Sequence, residues 1–193
     1  MPPTSSSFPG SRTALLIIDV INPLDFPGGE AFGRRALRPA RAIARLAERA
    51  RRARVPVIFI NDNFGRWRSD MQGLVKFVSG PRSAGRGLAR VLTPDPRDFV
   101  VLKSTLSGFF QTPLEAMLHQ GGVKTLIMTG FLTGSCVLFT SVDAYMRDFK
   151  VVVPSDCTLD LNPDKHRKAL AHMQDVLKAK VAASRRLTIR RSN

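Results

Sequence analysis

Residues 125–139 read TLIMTGFLTGSCVLF. Leu126 to Met128 form a short apolar run, Gly130 to Ser135 supply small and turn-forming residues, and Cys136 precedes a second apolar run. A continuous apolar run has the character of a strand buried on both faces. The residues from about Ser135 to Arg147 have the character of a helix, so this stretch is a strand running through a tight turn into a helix. Such a unit belongs to folds in which helices cover a parallel sheet.

The same pattern repeats outward. Ala14 to Ile18, Val55 to Ile60, Phe99 to Leu102 and Val151 to Val153 are further apolar, β-branched runs bounded by polar or turn residues. A short last strand is expected between Val181 and Ile189. Between the strands, Arg34 to Arg54 reads as an amphipathic helix. Thr112-Pro113-Leu114-Glu115 predicts a capping box closed at Gly121-Gly122, and Asn162-Pro163 starts a long helix to about Lys180. Strand, helix and strand in alternation specify an α/β domain with helices on both faces of the sheet. Residues 61–97, rich in Gly and Pro, break the rhythm and read as a long functional loop or lid with room for one short helix.

The chain has 193 residues, enough for one domain, expected over 14–189 behind a flexible segment at 1–13. A domain this size buries roughly 70% of its unfolded surface and needs no staples. Two cysteines make no disulfide framework, and nothing at the start has the basic-then-apolar pattern of a secretory signal. No run approaches the length of a membrane span. A cytoplasmic protein with free thiols and no membrane partner is therefore expected. The net charge of +15 raises nucleic acid as a partner. However, much of that charge lies on Arg34 to Arg54, on the wet face of the expected helix, with a second cluster at Arg185, Arg186, Arg190 and Arg191. No aromatic RNA-binding motif or zinc-finger spacing accompanies either, which argues for a solvated surface and against nucleic acid.

Ligands of open α/β sheets bind beyond the carboxyl ends of the strands. Asp19 follows the first strand, Asn61-Asp62-Asn63 end the second, Lys103-Ser104 the third, and the turn to Cys136 the fourth. A carboxylate, an ammonium and a thiol converge on one rim. Backbone N–H groups at the start of the helix would favour a thiolate at Cys136 and could face an oxyanion. A structural cysteine is the bland alternative, and Cys157, in a loop after Asp156, keeps it. Asp19 could instead cap a turn, and Lys103 could be an ordinary surface lysine. At the end of a buried run, though, Lys103 needs an anion.

These residues resemble the isochorismatase-like cysteine hydrolase superfamily, which includes nicotinamidases, carbamoylsarcosine amidases and ureidoacrylate amidohydrolases. ALLIIDVINPLDF (14–26) is similar to the family's opening strand with its catalytic aspartate, here Asp19. DFVVLKSTLSGFFQT (98–112) is similar to the strand ending in the catalytic lysine, here Lys103. The spacing from Gly130 through Thr133 to Cys136-Val137 is similar to the family's nucleophile turn. The resemblance implies a three-layer α/β/α sandwich on a six-stranded, mostly parallel sheet of Rossmann-like topology. It also implies a non-proline cis peptide between Phe131 and Leu132, with the Leu132 and Cys136 amides forming the oxyanion hole, and a homo-oligomer, dimer or tetramer.

Departures narrow the reading. VPVIFINDNFGRWRSD (55–70) has Asp62 but none of the histidines of a nicotinamidase metal site, and His119, His166 and His172 lie on expected helices elsewhere. No metal and no cofactor are therefore implied. Ile21 stands where a glutamine is common in the family. The implied activity is cleavage of a C–N bond in a small amide, ureide or carbamoyl compound through a thioester. Phe26, Asn63, Trp67 and Phe109 are the candidate pocket wall, and Arg66 and Arg68 suggest an anionic or polar substrate. The alternatives are a non-catalytic binding or scaffold protein on this fold, a vinyl ether hydrolase of the isochorismatase type, and a nucleic-acid-associated protein. A nucleotide-binding oxidoreductase ranks below these, because no G-x-G-x-x-G follows a strand.

Overall fold

A computed structural model describes residues 8–190. The chain begins in the middle of its sheet. Strand β1 (Thr13–Ile18) is flanked by β2 (Val57–Asp62) on one side and β4 (Thr125–Phe131) on the other. β3 (Phe99–Lys103) extends the β2 side; β5 (Lys150–Pro154) and β7 (Lys180–Ala182) extend the β4 side. These six strands form the path β3-β2-β1-β4-β5-β7, and every recorded pairing is parallel. A seventh strand, β6 (Thr158–Leu159), adds two residues alongside β4 opposite Gly130 and Phe131. It is too short to announce itself as an apolar run.

Alternation along the strands divides the core between the two faces. Leu15, Ile17, Val57, Phe59 and Ile127 point to one side, where they meet Ile43, Leu46, Leu74 and Leu88. Leu16, Ile18, Ile58, Ile60 and Met128 point to the other, against Leu114, Leu118, Ala144 and Met173. The first group of partners comes from α1 (Gly29–Arg52), α2 (Met71–Val78) and α3 (Arg86–Val91). The second comes from α4 (Leu114–Gln120), α5 (Leu138–Tyr145) and α6 (Pro163–Asp175). The result is the three-layer α/β/α sandwich. Each fully buried Ile or Leu, such as Ile43 and Leu46 on α1, contributes about 2 kcal/mol of transfer free energy.

Several elements differ from the sequence-based expectation. α1 starts at Gly29, ahead of Arg34, because Phe32 already packs into the core. Residues 61–97 hold two short helices; α2 is capped by the Asp70 carboxylate, which accepts the Gly73 N–H at 2.7 Å. The Thr112 hydroxyl does accept the Leu114 N–H, but Glu115 turns outward to Arg147 at 2.8 Å, so the reciprocal capping box is not made. α6 stops at Asp175. Of the leader expected at 1–13, residues 1–7 lie outside the described part. Phe8 is buried with its ring centroid 4.8 Å from that of Phe99, and the Ser11 N–H donates to the Gly121 carbonyl, so this stretch is packed. Arg191 of the terminal basic cluster also lies outside the described residues. Among the described residues no helix is long and apolar enough to cross a membrane.

Candidate active site

The chain order of the sheet reverses between β1 and β4, and the crevice beyond such a reversal is where α/β sheets bind ligands. Asp19 and Cys136 follow these two strands. Where β1 and β4 pair at their ends, Gly130 lies opposite Ile18 with φ at +114°. A Cβ on Gly130 would stand 2.0 Å from the Ile18 carbonyl oxygen; only glycine permits this approach.

Asp19 takes a left-handed conformation, φ +52°, as the chain leaves β1. One of its carboxylate oxygens accepts the Asp62 N–H at 2.7 Å, and the other lies 2.7 Å from Lys103 Nζ. Lys103 ends β3, in register with Asp62 at the end of β2. Its side chain is fully buried, donates to the Thr105 carbonyl at 2.8 Å and reaches Cys136 Sγ at 3.8 Å. Cys136 sits in a kinked turn, Thr133–Val137, in which Ser135 is non-helical (φ −132°, ψ −107°) and which leads into α5. The preceding Phe131–Leu132 peptide is cis. Two side chains anchor the turn from outside. Asp160 accepts the Gly134 N–H at 2.7 Å, and His166 Nδ1 lies 2.8 Å from the Thr133 hydroxyl. His166 is thus tied to the nucleophile turn, and burial pushes its pKa down.

The electrostatics correct one expectation. Burial, and then the Asp19 charge, push the Cys136 thiol up to about 12, although the Lys103 ammonium pulls the other way. With its pKa raised this way, Cys136 rests as a thiol beside the Asp19 carboxylate. The start of a helix cannot offset removal from water beside a carboxylate. Burial also raises the Asp19 pKa, opposed by the Lys103 charge and by hydrogen bonds from Cys136, Lys103 and the Asp62 N–H. For Lys103, burial favours the neutral amine, but Asp19, Cys136 and Asp62 outweigh it and raise the pKa. The site therefore holds an ion pair, a neutral thiol, and a carboxylate that is a better base than one in water.

A cavity of about 240 Å³ opens above these groups. Asp19, Asn22, Asp62, Ser135 and Cys136 supply its polar surface, and Leu24, Phe26, Phe32, Phe64, Phe131 and Leu161 much of its apolar wall. Of the four expected wall residues, Phe26 lines this cavity. Asn63, Trp67 and Phe109 do not line this cavity. The Asn63 side chain is buried and accepts the Gly65 N–H, holding the turn after β2. Trp67 is 77% exposed. Phe109 is buried in the core against Phe149. Arg66 and Arg68 are also absent from the wall; the Arg66 guanidinium lies 3.7 Å from the Phe77 ring centroid. Asp62, Phe32 and Leu161 are cavity residues that the sequence reading did not select. Asp62 gave a signal by ending a strand on the same rim. Leu161 gave none, because it follows the two-residue β6.

A larger open groove of about 850 Å³ meets the cavity at Leu24 and Phe26 and continues between Gly28–Arg34 and Phe77–Ala84. No cysteine lines it among the described residues. Among the described residues no group of three or more His, Cys, Asp or Glu side chains is placed to hold a metal ion.

Residues 13–185 match the model of the isochorismatase domain. Over 174 residues the chain is 32% identical to the uncharacterized isochorismatase family protein YaaI of Bacillus subtilis, covering 90% of this chain and 95% of that protein. It is 31% identical over 191 residues to the ureidoacrylate amidohydrolase RutB of Methylobacterium radiotolerans, covering 85% of this chain and 74% of that one. Among solved structures, the pyrazinamidase/nicotinamidase of Streptococcus mutans superposes with a TM-score of 0.68 at 28% identity, covering 88% and 99% of the two chains.

Proposed function

This chain belongs to the isochorismatase family, and on that premise we propose that it is a cysteine amidohydrolase that cleaves the C–N bond of a small amide, ureide or carbamoyl compound. The observation that carries this reading is the contiguity of three groups: Asp19 Oδ2 is 2.7 Å from Lys103 Nζ, Lys103 Nζ is 3.8 Å from Cys136 Sγ, and Asp19 and Cys136 line the same cavity.

The reaction begins with the Cys136 thiol giving its proton to Asp19 while sulfur bonds to the substrate carbonyl carbon. The carbonyl π electrons move to oxygen, and the Leu132 and Cys136 N–H groups donate to this oxyanion; one such donor contributes about 3 kcal/mol to the transition state. Collapse of the tetrahedral species breaks the C–N bond, and the departing nitrogen takes the proton held by Asp19. Ammonia or an amine leaves, and the acyl group stays on sulfur as a thioester. Asp19 then removes a proton from water as its oxygen bonds to the acyl carbon. The C–S bond breaks, and sulfur recovers its proton from Asp19. One water is consumed, and the acid is released. Lys103 never gives up its proton; it holds Asp19 in place and offsets negative charge on sulfur.

A retained Cys136 supports acyl transfer over vinyl ether hydrolysis, which needs no sulfur nucleophile. Both cysteines are free, which suits a cytoplasmic enzyme. We also propose a homo-oligomer, which light scattering on the purified protein tests. The activity is tested by ammonia release from a panel of small amides, ureides and carbamoyl compounds. Turnover by wild type that is lost in Cys136→Ala is expected; turnover that survives the substitution contradicts the assignment.

A further inference from the structure

The reactive cavity has a selectivity written into its wall. Phe26, Phe32, Phe64 and Phe131 come from three separate stretches of the chain, yet all line one space, joined by Leu88 and Leu161. The Phe32 and Phe131 rings meet edge to face with centroids 5.6 Å apart, and Phe26 lies 6.3 Å from Phe32. Such contacts fix the rings and make a rigid apolar recess. Among the described residues, no Lys, Arg or His lines it. Lys103, which does not line the cavity, is fully buried and committed to Asp19, Thr105, Cys136 and, at 3.8 Å, Asp62. Arg34 and Arg82 line the neighbouring groove, beyond Leu24 and Phe26, and Arg34 faces Glu30 at 3.7 Å. Among the described residues lining it, the acidic side chain with substantial exposure is Asp62, 33% exposed, whose Oδ2 lies 3.8 Å from Lys103 Nζ.

A substrate carboxylate entering this space would leave water without a cation to receive it and would approach Asp62. A neutral amide meets the opposite situation. Its apolar part is sheltered by the rings, and an N–H can donate to Asp62, whose other oxygen already accepts the Phe64 N–H at 2.6 Å. The volume, about 240 Å³, lies below the range that holds drug-sized ligands and suits a single ring or a short branched chain.

We propose that the substrate's acyl group is uncharged and apolar, aryl or branched alkyl, and that Asp62 together with the phenylalanine wall excludes anionic amides. This rests on the amidohydrolase reading above and narrows it. The expectation of an anionic or polar substrate, drawn from Arg66 and Arg68, gains no support from the cavity, because neither arginine lines it.

The test compares isosteric pairs of primary amides: isocaproamide against succinamate, and para-isopropylbenzamide against terephthalamate. In wild type, kcat/KM for the neutral member of each pair should exceed that of the anion by on the order of 100-fold, the scale of discrimination set by a mismatched group in a pocket. Leu161→Arg places a cation at a position already 43% exposed and should close that gap by at least about tenfold. Asp62→Asn should narrow it as well, mainly through KM for the anions. If the anionic members turn over as well as or better than the neutral ones, and that turnover vanishes in Cys136→Ala, the selectivity is wrong while the amidohydrolase stands. If no member of either class releases ammonia, the amidohydrolase reading fails and the selectivity falls with it.

Discussion

Lys103 Nζ lies 2.7 Å from Asp19 Oδ2, and both side chains are withdrawn from solvent at the rim where β1 and β3 end. Two opposite charges placed this way are held by each other. Removing them from water costs several kcal/mol per ion, which only the pairing and its hydrogen bonds offset. The pair is therefore better understood as a device for placing a base beside Cys136 than as a source of stability.

The consequence for stability is direct. Asp19→Asn leaves the Lys103 ammonium buried without its close partner and should cost about 3 kcal/mol in chemical denaturation. Adding Lys103→Met to Asp19→Asn should recover most of that loss, since the unpaired charge is gone. Activity should be lost in both variants.

The pH dependence follows from the signs of the shifts. Asp19 acts as a carboxylate, and its pKa is raised from 3.8 by burial. The acid limb of kcat/KM should therefore fall at a pH above 3.8, with activity lost as pH drops through the raised value. Lys103 is raised from 10.5, so its charge, and the stability gained by pairing it, persist below 10.5 and are lost only as pH climbs through its folded value. Thiolate absorbance assigned by difference between wild type and Cys136→Ser should be missing at neutral pH and develop only toward pH 12.

The conformation of Gly130 against Ile18 predicts a costly substitution. Gly130→Ala must place a Cβ 2.0 Å from the Ile18 carbonyl oxygen at a φ of +114°. The strands must separate, so thermal or chemical unfolding should show a loss of about 3 kcal/mol or more. Activity at temperatures where the variant stays folded should also fall, because the same strands carry Asp19 and Cys136.

The parts of this molecule legible in the sequence are those governed by long-range regularities. Buried parallel strands are continuous apolar runs, so β1 to β5 could be located, and residues directly after such strands share a rim, so Asp19, Lys103 and Cys136 could be grouped. The pocket wall follows a different logic. Asn63 is adjacent in sequence to a cavity residue, Asp62, but its amide is spent on the turn at Gly65. Phe109 follows Lys103 by six residues, yet the chain turns it into the core beside Phe149. Phe32 was hidden because Gly28-Gly29 reads as loop, whereas α1 has already begun at Gly29. Which aromatic faces a cavity is decided by tertiary packing that no local pattern records.

The central claim is an acyl group carried on Cys136, and partitioning with hydroxylamine tests it most directly. Two substrates sharing an acyl group but differing in the leaving amine are hydrolysed in the presence of hydroxylamine, and the ratio of hydroxamate to acid is measured. A common thioester predicts the same ratio from both substrates, and neither product from Cys136→Ala. A ratio that depends on the leaving amine, or hydroxamate that persists without Cys136, would contradict the account.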